Sequence, residues 1–348
     1  LRKLLAPEVV QTSSLDCGPA ALKCLLEGYG TKVSYGRLRE ACQTGLDGTS
    51  IDTIETVANQ LGLEAEQIML PADHLLLPEA KALPAIVVVT LGNGLTHFVV
   101  VWRRFGKWLQ VMDPAVGRRW ISGKQFSGEV YSHSMAVGAA DWREFAVSDD
   151  FQLALRARWR ALGIRETERR RLTEEFVGQE GWRGPAALDA GTRLLTSLAQ
   201  AGGLPGKRQI AILLKRLCSQ PKLIPRGCWT AMEGPDEQVL GEQVLMRGAV
   251  LVRVKGKRPE AKAAALRPEL AAAIAEPAVS PARELGCALR KSGVGSATLL
   301  TVAVMVAAGG ALLEALLFRG LFDINSALGL AGQRMGAAAA VVLFCLAL

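Results

Sequence analysis

Apolar and polar positions divide the first 140 residues into two halves with different periods. Asp16, Gly18 and Pro19 have the character of a helix start, the run AALKCLLEG follows, and Gly28 and Gly30 stop it. Ser34 can cap a short second helix. Thr49 and Asp52 have capping-box spacing, and Ile51, Ile54, Ala58 and Leu61 give the helix after them one apolar face. After Pro71 the pattern changes. Ala85–Thr90, His97–Arg103 and Trp108–Asp113 are short, valine-rich and separated by Gly or basic turns, which predicts strands. Helices first and strands second make an α+β domain, and 1–140 is expected to fold by itself.

Residues 141–290 are less periodic. They predict helices at 151–176 and 186–201 and one strand at Gly248–Gly256, then Pro- and Ala-rich sequence at 259–282. This reads as a mixed, mainly helical linker domain in which no chemistry is visible. From 291 the pattern is apolar. Thr298–Phe318 carries a single charge, Glu314, and has the length of a membrane-spanning helix. A second apolar run, from about Met335 to Leu348, is still hydrophobic where the sequence stops, and the chain opens on Leu1. A fragment of a longer membrane protein is expected.

The net charge of +8 changes little in this picture. Basic residues are scattered or mixed with acids, as in RETERRRLTEE (165–175), which reads as a solvated helix face and speaks against nucleic acid. No cationic stretch leads into an apolar one at the start, so nothing there directs export. Seven cysteines at irregular spacing make no disulfide framework and suit a reducing compartment. AGGLPGKR at 201–208 mimics a phosphate-binding loop but has Ala in place of the first Gly and Arg in place of the Mg-binding hydroxyl. No cofactor or metal site is expected in this chain. GPAAL occurs at 18–22 and again at 184–188. Chance in an Ala-rich sequence is preferred over a degenerate duplicate, and Arg183 in the place of Cys17 excludes a second active site.

Candidate chemistry centres on Cys17. At a helix N-terminus, unpaired N–H groups and the positive dipole end favour a thiolate. Cys24 reads instead as a buried structural cysteine. Of the three histidines, 74, 97 and 133, only His97 opens a strand beside a returning strand that ends in a carboxylate. A hairpin centred on Phe105 and Gly106 would set 97 opposite 113, 99 opposite 111 and 101 opposite 109, placing Asp113 where it can orient the imidazole. A one-residue slip would undo this. Gln11, six residues before Cys17, could donate to an oxyanion, although surface polarity is its ordinary reading.

QTSSLDCGPAAL (11–22), THFVVV (96–101) and MDPAVGRR (112–119) resemble the double-glycine leader peptidases of bacteriocin-type ABC exporters, over roughly residues 6–135. The resemblance implies a papain-like cysteine peptidase fold, with Cys17 as nucleophile, His97 as base, Asp113 as orienter and Gln11 as oxyanion donor. It implies removal of a leader after Gly-Gly or Gly-Ala from a ribosomally made precursor peptide, coupled to export. It further implies a bacterial inner-membrane protein with a cytoplasmic peptidase domain, contact with membrane lipid, homodimerisation through the transmembrane part, and ATP and Mg only in an ATPase domain beyond Leu348. The 141–290 insertion departs from the family's short linker. The alternative is a catalytically idle module that binds leaders and tethers cargo; another amide or thioester substrate is also open.

Overall fold

The computed structural model describes residues 2–46, 48–203, 207–234, 242–258, 268–276, 281–291, 297–327 and 331–347. In chain order the elements are α1 Cys17–Gly28, α2 Tyr35–Ala41, α3 Ile51–Gln60, β1 Leu63–Leu70, β2 Ala85–Thr90, β3 Thr96–Phe105, β4 Trp108–Asp113, β5 Gly117–Ser122, α4 Gly123–Glu129 and β6 Ser132–Gly138. There follow α5 Ala139–Val147, α6 Asp149–Ala161, α7 Glu166–Leu172, α8 Arg183–Gln200, α9 Lys207–Ser219, β7 Ala231–Glu233, β8 Gln243–Lys257, α10 Pro268–Ala275, α11 Pro281–Lys291, α12 Ala297–Ala327 and α13 Ala331–Ala347. The first three helices and the strands β2–β4 fall where the hydrophobic pattern places them. The third helix is capped differently from the expectation: Ser50, not Thr49, accepts the Thr53 N–H at 3.2 Å. Thr49 is buried instead, its hydroxyl 2.8 Å from that of Thr44.

Among the described residues, eight strands form one antiparallel sheet in the order β1-β8-β2-β3-β4-β5, with β6 and β7 both pairing β8. One face carries Ile86, Val100, Trp102, Met112 and Val252 and packs under α1–α3 and α10. The other carries Val87, Val99, Val101, Leu109, Val111 and Leu251 and is closed by Leu75, Ala82 and Phe126. Two glycines let α1 approach this closely. A Cβ on Gly28 would lie 2.1 Å from the Trp102 ring, and one on Gly18 would lie 2.9 Å from Thr49 Cβ.

The expected boundary at residue 140 is not where the fold divides. Residues 1–278 form one compact unit, and 279–348 form another. The physical reason is β8. Its N-terminal half pairs with β6, Val137↔Val244 to Ser132↔Ala249, and its C-terminal half pairs with β1 on one side and β2 on the other, Ala65↔Val254 and Ile86↔Val252. A strand buried between two others reads as a near-continuous apolar run, as VLMRGAVLVRV does.

The helices between α5 and α9 share an apolar core with β7 and β8 built on Trp142, Phe151, Trp159, Trp182 and Leu214. A buried ionic cluster ties them to the turn after β1. Arg158 donates to Asp189 Oδ1 at 2.6 Å and to His74 Nε2 at 2.6 Å, Arg193 reaches Asp73 at 2.8 Å and Asp189 Oδ2 at 3.0 Å, and the Thr230 hydroxyl donates to Asp189 at 2.8 Å. Burial pushes the Asp189 carboxyl up, but the two guanidinium groups outweigh it and hold it well below the usual carboxylate range. The second GPAAL run lies at the start of α8, as the first lies at the start of α1. The decoy loop at 201–208 falls partly, and the Pro- and Ala-rich stretch at 259–282 mostly, outside the described residues.

In the second unit, α12 contains a 22-residue stretch, Leu299–Gly320, with mean hydropathy 2.1, long and apolar enough to cross a membrane. The following helix begins at Ala331, four residues before the expected Met335.

Candidate active site

Cys17 is the first residue of α1, and the helix start is held by Asp16, whose backbone carbonyl accepts the Ala20 N–H at 3.1 Å. The Asp16 carboxylate is fully buried yet paired: it accepts from the Thr12 hydroxyl at 2.9 Å and lies 2.8 Å from Arg39 Nε on α2. Burial pushes the half-buried Cys17 thiol up. Its hydrogen bonds with the His97 ring and with the N–H groups of Phe98 and Gly18, together with the imidazolium charge, outweigh that and bring it below the ordinary thiol range. Cys24, about two helical turns further on, has no such partners, and burial drives its thiol far above the usual value.

His97 and Asp113 meet, but not by the expected pairing. The hairpin turn is Gly106–Lys107, with Gly106 at φ 55, the left-handed position that a two-residue type II′ turn gives to glycine. The ladder runs Phe105↔Trp108, Arg104↔Leu109, Arg103↔Gln110, then Val101↔Val111 and Val100↔Met112, so Trp102 is a bulge. Continued one step, Val99 stands opposite Asp113 and His97 lies on the adjoining diagonal. The register has slipped by two from the expectation. An even slip keeps side chains on the same face, and diagonal neighbours are within reach of a ring.

His97 Nε2 donates to Asp113 Oδ1 at 2.9 Å, leaving Nδ1 for Cys17. Oδ1 also accepts the Ala115 N–H at 3.0 Å, and Arg119 on β5 approaches Oδ2 at 3.3 Å. Burial alone would raise the Asp113 carboxyl; these three contacts pull it below the usual range. Burial likewise opposes charge on His97, but the Asp113 and Cys17 hydrogen bonds raise the imidazole to about 9. A lowered thiol beside a raised imidazole favours the thiolate–imidazolium pair over the neutral one.

Gln11 sits on an extended segment whose N–H donates to the Pro114 carbonyl at 2.9 Å, directly after Asp113. Its side-chain oxygen is buried without a hydrogen-bond partner. The amide ends are alike in shape, so a half-turn exchanges that oxygen for the NH₂ group. The sequence marks Asp16 only as part of a helix start and does not single out Arg119 or Arg39. Arg119 lies inside the MDPAVGRR run, but the Asp16–Arg39 pair joins two helices and leaves no local signal.

Residues 6–137 match the Peptidase C39 family. They form a C39 domain. The chain is similar to the lactococcin-G-processing and transport ATP-binding protein LagD of Lactococcus lactis subsp. lactis, 32% identical over 121 residues, which covers 35% of this chain and 17% of that protein. It is similar to the pediocin PA-1 transport/processing ATP-binding protein PedD of Pediococcus acidilactici, 35% identical over 34% of this chain and 17% of that one. The chain thus spans about a sixth of the length of both relatives. Among solved structures, the peptidase domain of Streptococcus ComA matches 36% of this chain and 92% of its own, at 31% identity and TM-score 0.33. The matched residues include Gln11, Cys17, His97 and Asp113, and β8 completes their sheet from outside the matched region.

Proposed function

We propose that this chain is a cysteine endopeptidase that removes the double-glycine leader from a ribosomally made precursor peptide, coupled to export by a membrane domain of which α12 and α13 are a part. The observation that carries it is the hydrogen-bonded string Cys17–His97–Asp113, with its thiol lowered and its imidazole raised. In this reading Cys17 Sγ attacks the carbonyl carbon of the second glycine, and the bond to the next residue's nitrogen breaks. The oxyanion forms at the α1 N-terminus, where the Gln11 amide is the side-chain donor. His97 gives its proton to the leaving amine, then takes one from the water that hydrolyses the thioester. Asp113 holds the ring's orientation and stabilises its positive form. The peptidase domain is cytoplasmic, the protein resides in a bacterial inner membrane, and pairing through the membrane part makes a dimer.

The test uses the chain in detergent, under reducing conditions, with a precursor peptide bearing a Gly-Gly leader. Cleavage is expected after the second glycine. Cys17→Ala should abolish cleavage and leave leader binding intact; Gln11→Ala should lower turnover ~10²–10³-fold with little change in binding. Cleavage by Cys17→Ala, or labelling of Cys24 by a peptidyl electrophile, would refute the assignment.

A further inference from the structure

The far end of the β3–β4 hairpin carries a surface that the proposed chemistry does not use. Phe105, Trp108 and Trp120 are 48%, 56% and 45% exposed and line one shallow apolar slot. Trp120 stands opposite Gln110, and Phe105 opposite Trp108, so all three rings share the sheet face crossed by the Arg2–Glu8 segment. That segment is fixed there: the Ala6 N–H donates to Gln110 at 2.8 Å, and Lys3 O accepts from Trp102 Nε1 and Arg103, both at 3.2 Å. Leu4 and Leu5 are exposed on it.

The surround is basic. The Arg103 guanidinium lies 5.5 Å over the Phe105 ring, Arg2 lies 5.1 Å over Trp102, Lys107 occupies the exposed turn, and Lys3 is exposed beside them. Glu8 is the acid on this segment, and Arg118 is its partner, at 3.9 Å and through the Arg118 N–H at 3.3 Å. Paired aromatics with a cationic rim are the composition of a membrane–water interface, where the rings sit among headgroups and the cations meet phosphate. The slot is lined by Phe105, Trp108 and Trp120 and is widely open to solvent, whereas a protein hot spot is a packed pocket.

We propose that this aromatic–basic corner docks on an anionic phospholipid surface. The proposal rests on reading α12 as a membrane span, which keeps a bilayer within the chain's reach. His97 and Phe105 are eight residues apart along β3, about 26 Å of strand. Docking by the hairpin tip therefore leaves the Cys17–His97 end facing away from the lipid, open to a precursor peptide.

The experiment reconstitutes the full chain into phosphatidylcholine vesicles, with or without phosphatidylglycerol, whose acyl chains carry bromine near the headgroup. Tryptophan emission should be quenched more in the anionic vesicles. Trp108→Ser with Trp120→Ser should remove that extra quenching. Lys107→Glu keeps every tryptophan and should weaken the association about fivefold in anionic vesicles only; it decides the matter if the tryptophan variant fails to fold. Equal quenching in both lipids, or unchanged quenching in the variants, overturns the proposal. So does shielding of the patch without anionic lipid, by a second copy as concentration rises or by precursor peptide. Alkaline extraction reports separately on α12: release of the chain would sink the span reading, whatever the patch does.

Discussion

Asp113 concentrates the electrostatics of the candidate site at one residue. Its Oδ1 takes both the His97 proton donor and the Ala115 N–H, and Arg119 neutralises its other oxygen. The His97 imidazole stays protonated up to about 9 partly because of this carboxylate. Activity that needs a Cys17 thiolate with a protonated His97 should rise with pH through the lowered thiol pKa and fall near 9. Asp113→Asn removes a negative charge beside the ring, so imidazolium is less favoured and the alkaline limb should move to lower pH. Turnover should fall by up to about 10⁴-fold, the loss known when a triad carboxylate becomes an amide. A pH–rate profile of the variant checks this; an alkaline limb left near 9 would take Asp113 out of the role. Cys17 was legible in the sequence because a helix start is a local signal. Arg39 was not, since its partner Asp16 belongs to another helix and the contact depends on how α1 and α2 pack.

At the scale of elements, the docking of α1 on β3 brings thiol and imidazole together. Gly28 and Trp102 make that contact, and the bulge at Trp102 has a second effect. Between the turn and the bulge the paired residue numbers sum to 213, as in Phe105↔Trp108; beyond it they sum to 212, as in Val100↔Met112. Without the extra residue, Asp113 would oppose Val100 and point to the other face from His97. The helix–strand contact and the geometry of the candidate site therefore share one residue. Gly28→Ala forces a Cβ into the Trp102 ring and should cost about 1–3 kcal/mol, the usual penalty of overpacking. Denaturant titration measures that loss, and a fall in Cys17 alkylation rate should accompany it. A variant as stable and as reactive as wild type would show that α1 is positioned by something else.

The whole molecule depends on β8, which enters the sheet more than a hundred residues after β1, β2 and β6, the strands of the first 140 residues that it pairs with. Because β1 pairs with β8 and with no other described strand, residues 1–140 alone leave β1 unpaired and one edge of β2 open. The piece expected from sequence to fold alone should instead aggregate, or unfold at a lower midpoint than 1–278. Thermal unfolding of the two fragments compares them, and equal midpoints would mean that β8 is dispensable. In the second unit, Arg283, Arg290 and Lys291 precede α12, against Arg319 and Arg334 after Phe318. That bias predicts that a reporter fused after Phe322 is extracytoplasmic. A cytosolic reporter signal would reverse the orientation.

Sequence alone determined the helix that presents Cys17, the strand that opens on His97, the carboxylate on the returning strand and the bilayer-length apolar helix. Each is a matter of local period, cap or run length, and such signals survive without knowledge of the fold. Tertiary structure decided which residues meet. The bulge that aligns Asp113 with His97 falls at Trp102, whose ring packs over Gly28, and β8 pairs with β1 on one side and β2 on the other along its buried apolar run. The Asp189 cluster likewise joins groups from the turn after β1, α6, α8 and the loop before β7. Such contacts are selected by packing volume and by the cost of leaving a strand edge or a charge unpaired, and neither quantity is written in the spacing of neighbouring residues.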